Sequence, residues 1–292
     1  MRIVVTLAGR NLRLFLRDPL NIFFSLLSAL IVFLLYTLFL GDLQVVSITE
    51  GTPGTDAGHV RGFVDAWMFG GIVALSTMTT PLGALSVFMD DAASNRFRDF
   101  LVTPVKRGQL VLGYLMAAFT IGVLMTVIVL IIALAYLWAV SEVVLGIPEL
   151  ASSIGWILLS TAGFTALWAF VVSFLRTSGA FSALSTIVGA TVGFVAGAYI
   201  AVGLFPEAVR SAVSALPFAQ SAMLLRQEFT RTPLFDLVGD NQPAIDTLNN
   251  LYGISLAVND WAIPAWYSSG LLALIAVTFT MLATARIRSR IR

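Results

Sequence analysis

The 292-residue chain has no cysteine, one histidine and one lysine, and only 11% of its residues are charged. Without cysteine there is no disulfide framework, no thiolate metal site and no thiol nucleophile. The sole histidine, His59, lies in the polar stretch GTPGTDAGHVRG. It reads as a solvated side chain, not as half of the serine–histidine couple that an intramembrane hydrolase needs. The sole lysine, Lys106, follows Val105 and precedes Arg107, so the Gly-Lys-Ser/Thr of a phosphate-binding loop is missing. A net charge of +1 makes no case for nucleic-acid binding. No catalytic, cofactor-binding or metal-binding residue is expected, so the chain reads as a non-enzyme. The N-terminal arginines are spread among apolar residues with no small-residue cleavage site after them, which argues against a signal peptide.

What the chain does have is apolar surface: 58% of its residues are hydrophobic and the mean hydropathy is +0.92. A soluble domain keeps a charged exterior, so the solvent here must be mostly lipid. Six charge-free runs reach the roughly 20 helical residues that a bilayer core requires. They are Asn21–Leu40, Ala66–Met89, Leu110–Val140, Ser153–Leu175, Thr177–Phe205 and Ala262–Ala285. Each must be helical, because lipid offers no partner to a free backbone N–H or C=O. The third run exceeds the bilayer core and is expected to tilt or project.

Arginine placement sets the orientation. The N-terminal segment, the loops after the second and fourth spans, and the tail hold 13 of the 17 basic residues and only Asp18, Asp90, Asp91 and Asp99 of the 16 acids. Both termini are therefore expected in the cytoplasm. Trp67, Trp138, Trp156, Trp261 and Trp266 fall near outer span ends, where indole rings favour the headgroup region. Residues 1–20 pattern as an amphipathic interfacial helix, with Arg2, Thr6, Arg10, Arg13 and Arg17 on one edge and Asp18-Pro19 ending it.

Between the second and third spans runs DDAASNRFRDFLVTPVKRGQLVLGY, from Asp90 to Tyr114. Thr103 is a good N-cap and Pro104 a good first helical residue, so a helix is expected to begin there. Phe97, Phe100, Leu101 and Val102 form an apolar knob flanked by Arg96, Arg98, Lys106 and Arg107. Such a knob fits a groove on a soluble partner; the plainer reading is a basic turn that fixes topology. The spans contain no ionisable group at mid-depth, the nearest acids being Asp65 and Asp90, so proton coupling through carboxylates is not expected. Power from outside the chain is the simpler reading. A channel or scaffold would leave the Thr-Pro elbow unexplained.

Two further patches bear on transport. The second span carries Ser76, Thr77, Met78, Thr79 and Thr80 before Pro81. The fifth carries Phe181, Ser182, Ser185 and Thr186, with Gly189, Gly193 and Gly197 at four-residue spacing. Either these small and hydroxylated residues pack helix on helix, or they line a pathway. A polar but uncharged lining suits amphipathic cargo better than ions. The segment at about 206–264 is acidic, rich in proline and expected outside the spans, with Ser211–Phe229 too short to cross comfortably and so re-entrant or interfacial.

The segment FRDFLVTPVKRGQLVLGYLMA resembles the region after the second span in ABC-2-type permeases, the membrane subunits of a class of ATP-binding-cassette exporters. The matching elements are Asp90 or Asp91, then Leu101-Val102-Thr103-Pro104-Val105, Lys106-Arg107 and Leu110-Val111-Leu112-Gly113. Leu216-Pro217-Phe218 followed by Arg226 resembles the Pro-containing element after the fifth span. The chain departs from many relatives at Ala93-Ser94-Asn95-Arg96, where they carry Gly-Thr.

The resemblance implies an all-α membrane protein of the ABC-2 exporter type. Its parts would be the interfacial helix at 1–20 and a six-helix domain at 21–292, with a cytoplasmic coupling elbow at about 90–109. In that family the elbow docks on the ATPase, which would give the role to Asp99, Phe100, Leu101, Val102, Thr103, Pro104, Val105, Lys106 and Arg107. The second and fifth helices would form the pathway or dimer interface. Partners would be two ABC ATPase subunits carrying ATP and Mg, a second permease chain, identical or homologous, and the lipid of the cell membrane. Export of an amphipathic drug, lipid or natural product is the expected task, with polysaccharide or glycan export as the alternative.

Overall fold

Capping chemistry sets where the helices begin. The computed structural model describes residues 2–51, 56–94, 96, 107–259 and 261–290. Helix α1 (Arg2–Leu16) stops just before Asp18, whose carboxylate accepts the Asn21 N–H at 3.1 Å and caps α2 (Pro19–Leu35). Pro19 takes the first helical position, where no N–H is required. A π-helical turn at Tyr36–Leu40 then leads into α3 (Gly41–Gly51). Asp56 caps α4 (Ala57–Ala84), and a bend at Leu85 separates it from α5 (Ser86–Ala93). There follow α6 (Arg107–Val140), α7 (Ile147–Val172) and α8 (Ser178–Val195), the last capped by the Thr177 hydroxyl.

Among the described residues, six helical segments are long and apolar enough to cross a membrane: Pro19–Glu50, Ala57–Ala93, Arg107–Val140, Ile147–Val172, Ser178–Val195 and Ala265–Ile287. The first runs past the expected Leu40, because the π-helical turn absorbs the irregularity without breaking the rod. The second begins at Ala57 instead of Ala66, so Asp65 lies within the helix, where Ser141 Oγ donates to it at 2.6 Å and Arg61 lies 3.8 Å away. The fifth ends at Val195, well short of the expected Phe205. Its backbone reverses at Gly197, where φ is +67°, a conformation costly to any residue with a Cβ.

Helix α4 is the axis of the bundle. From Val60 to Leu82 every residue but Arg61 is buried, against α2, α6, α7 and a later helix, α10 (Pro217–Val238). In lipid, apolar burial alone does not drive helices together; close fit and hydrogen bonds must. The fit is visible at Gly122 of α6, where an added Cβ would lie 2.8 Å from Thr161 and 2.9 Å from the Pro81 ring. Trp168 of α7 donates to the Met78 carbonyl at 2.6 Å, and Ser221 of α10 to Ser160 at 2.8 Å. The outward faces of α2, the π-helical turn, α8 and α12 (Ala265–Arg290) carry exposed Leu20, Phe24, Leu38, Ile187, Leu274 and Met281.

The segment expected outside the spans divides in two. α9 (Glu207–Ser214) and α10 form a hairpin whose tip sets Phe218 against Phe164 and Trp168 of α7, with ring centroids 5.2 and 6.1 Å apart. Much of α10 therefore lies within the bundle and not over it. The largely exposed α9 gathers instead with α11 (Gln242–Tyr252) and a small β-hairpin, β1 (Ala257–Val258) against β2 (Trp261–Ala262), as a cap. Trp138, Trp261 and Trp266 are exposed near helix ends as expected, but Trp67 is fully enclosed and Trp156 donates to Glu228 at 3.1 Å. The early start of α4 is what draws Trp67 inward.

Candidate transport and coupling site

Three places concentrate the polar chemistry. The first is at the α1 end. Asp91 of α5, 1% exposed, accepts four hydrogen bonds. Arg10 of α1 supplies two, at 2.6 and 3.2 Å; Arg96 supplies one at 3.0 Å; and the Tyr114 hydroxyl of α6 supplies one at 2.5 Å. A carboxylate out of water needs this degree of satisfaction, because one left bare costs several kcal/mol, of the order of 3–5. The bond to Asp91 raises the Arg10 pKa further above its ordinary value. Asn21 of α2 donates to Ser86 of α5 at 2.8 Å, tying the first span to the same corner. Of the nine residues named for coupling, Asp99 to Lys106 lie outside the described residues; Arg107 is exposed and opens α6.

The second is a groove of about 530 Å³ between α2, α4 and α8. Ser25, Ser28, Thr79, Ser182, Ser185 and Thr186 give it hydroxyls, and Phe24, Phe181 and Tyr199 give it rings. None of its lining residues is charged. Ser185 Oγ is enclosed and has no hydrogen-bond partner among the described residues. Of the sequence candidates, Thr79, Phe181, Ser185 and Gly189 line this groove. Ser76, Thr77, Met78 and Thr80 lie behind it with no exposed surface, and the Thr77, Thr79 and Thr80 hydroxyls bond backbone carbonyls of their own helix. The evenly spaced glycines divide their tasks: Gly189 meets Ser28 of α2, whereas Gly193 leaves room for the Tyr199 ring.

The third place escaped the sequence reading. Arg226 of α10 is 1% exposed and pairs with no carboxylate among the described residues. Its Nη1 donates to the Ala196 carbonyl at 3.2 Å and its Nη2 to the Gly197 carbonyl at 2.7 Å. The guanidinium carbon lies 4.9 Å from the Trp67 ring centroid, within cation–π range. The guanidinium keeps its charge, since arginine is not deprotonated in proteins. The carbonyls at the C-terminus of α8 carry the negative end of the helix dipole and stand in for a counter-ion. The visible signal was the sole cation of the run Ser211–Phe229.

No curated protein matches the chain. The family described as ABC-2 family transporter protein matches residues 44–285. That match covers four of the six membrane-length helices whole, the end of the first and all but the last two residues of the sixth, together with α9, α10 and the cap. The chain thus belongs to the ABC-2 family: it is a multi-pass membrane permease subunit of an ABC transporter and works with an ATPase.

Proposed function

We infer that this permease exports an uncharged or weakly polar amphipathic molecule, a drug, lipid or natural product, from the cytoplasm or inner leaflet. The observation that carries the reading is the groove between α2, α4 and α8. It sets hydroxyls beside aromatic rings, holds no charge, and is walled partly by helices whose outer faces are apolar. A hydrated ion would find no compensating ligand there, whereas a lipid-like molecule exchanges one apolar surroundings for another. Two permease chains, identical or homologous, would bring their α2 and α8 faces together around the path.

Energy enters from two separate ATPase subunits, which hold ATP and Mg. The elbow at about 90–109 receives their movement, with both termini and this elbow on the cytoplasmic side of the cell membrane. Asp91 supports that reading: it joins α1 and α6 to Arg96, within the elbow, so displacement there reaches three elements together. Closure of the ATPases on nucleotide would shift the helices between inward and outward access.

Purified permease–ATPase complex in nanodiscs tests the cargo class. Hydrolysis is expected to rise with neutral amphipaths and lipids, and Ser185→Trp, which fills the groove, should abolish the rise while basal hydrolysis persists. Stimulation by lipid-linked glycans alone would move the assignment to glycan export. Unaltered stimulation in Ser185→Trp would refute the groove as the path.

A further inference from the structure

Around Arg226 the fold clears space with unusual consistency. An added Cβ at Gly71 would lie 2.9 Å from Nη2, one at Gly70 3.1 Å from the Arg226 Cα, one at Gly197 3.3 Å from Nη1, and one at Gly253 3.6 Å from Nη1. Two of these glycines, Gly197 and Gly253, have positive φ and terminate α8 and α11. The cation thus sits where two helix C-termini converge, with an indole face beside it. That indole is itself fixed, since Trp67 Nε1 donates to the Tyr252 carbonyl, the last residue of α11, at 2.6 Å.

The arrangement is satisfied but not saturated. Arg226 Nε is buried without a partner among the described residues, and so is the Tyr36 hydroxyl, whose ring packs edge-on against Trp67 at 5.5 Å. A cation held by two carbonyls instead of a carboxylate loses less on release than a buried ion pair would. What it holds matters more. Ala196 and Gly197 begin the reversal that follows α8, and two residues later Tyr199 turns back over Gly193 and forms part of the groove wall. The same reversal carries Ala198 and Ala201, both buried.

We propose that Arg226 latches the 196–205 reversal as a gate at the end of the groove remote from α1, and that release of its two carbonyl bonds opens that end. Arg226 is then a positioning residue, acting on cargo only through the segment it holds. The proposal rests on the groove being the path.

The natural absence of cysteine makes the test direct. Ala198→Cys, at a buried position, is placed in the otherwise intact permease and reconstituted with its ATPase in proteoliposomes. A membrane-impermeant maleimide then reports exposure of the reversal. Labelling should be slow at rest and should quicken about tenfold with ATP and vanadate, which corresponds to about 1.4 kcal/mol of opening. Arg226→Met should give the fast rate without nucleotide, and Arg226→Lys, which keeps a cation but only a point donor, an intermediate one. Gly71→Ala, which crowds Nη2 without touching the charge, should also quicken labelling and covers the case in which Arg226→Met fails to fold.

Unchanged rates in both Gly71→Ala and Arg226→Lys would overturn the latch. Faster rates in the variants with no response to nucleotide in the parent would overturn the gate and leave a static brace. Failure of the groove reading shows elsewhere, as loss of amphipath-stimulated hydrolysis while labelling still answers to nucleotide.

Discussion

Removing one side of the Arg10–Asp91 contact tests whether α1 is clamped to the bundle or merely lies beside it. Arg10 gives Asp91 two charge-assisted bonds, at 2.6 and 3.2 Å. Such bonds contribute about 1.5–3 kcal/mol each when enclosed. The Arg10 side chain is one-third exposed, so water recovers part of that, and a coupling of about 2 kcal/mol remains. Asp91→Ala deletes the acceptor of all four bonds; Arg96, more than half exposed, rehydrates, whereas the Tyr114 hydroxyl loses its carboxylate partner in the interior. That change should cost about 3–4 kcal/mol. Arg10→Met should cost about 2–3 kcal/mol, because the carboxylate keeps Arg96 and Tyr114. The double variant should be little worse than Asp91→Ala alone. Equilibrium unfolding by SDS titration in mixed micelles supplies the four free energies of the cycle. If the two changes add to within about 0.5 kcal/mol, the clamp is absent and the argument for a three-way joint at the α1 end fails.

Other outcomes follow from separate parts of the molecule. Replacing Phe100 and Leu101 with Asp should detach or uncouple the ATPase, read by co-purification and by basal hydrolysis; intact assembly and transport would refute the docking assignment. Gly122→Ala puts a methyl between Thr161 and Pro81 and should destabilise by about 1–3 kcal/mol, with partial recovery in a Gly122→Ala, Pro81→Ala pair, measured by the same unfolding titration. Trp67→Phe strands the Tyr252 carbonyl and weakens the cation–π contact with Arg226, so a loss of about 1–3 kcal/mol is expected in thermal melts of the complex.

Much of the fold was legible because lipid enforces simple rules. Charge-free runs of sufficient length gave six spans, and Asp18-Pro19 gave the end of the first helix. The errors came where a backbone event overrode composition. Residues 177–205 carry no charge, but a left-handed glycine at 197 ends the helix early, and hydropathy does not sense φ. Ser76 to Thr80 read as a possible lining because hydroxyls in lipid demand partners; the chain supplies several of them from its own preceding turn. Arg226 stood out only as part of the Pro-containing element, and its burial depends on Gly70 and Gly71 of α4 and on Gly197 and Gly253 just past α8 and α11, all distant in sequence. The Asp91 joint was half visible, since the carboxylate stood out, but its partners Arg10 and Tyr114 are brought together only by tertiary packing.

The enclosure of α4 has a mechanical consequence. A rod gripped along its length by four neighbours cannot slide or bend alone, because each small shift would open voids against all of them at once. Work delivered at one end must therefore carry the inner pillars as a block. Freedom to swing belongs to the thinly attached staves at the rim, which exchange contacts with fluid lipid at little cost.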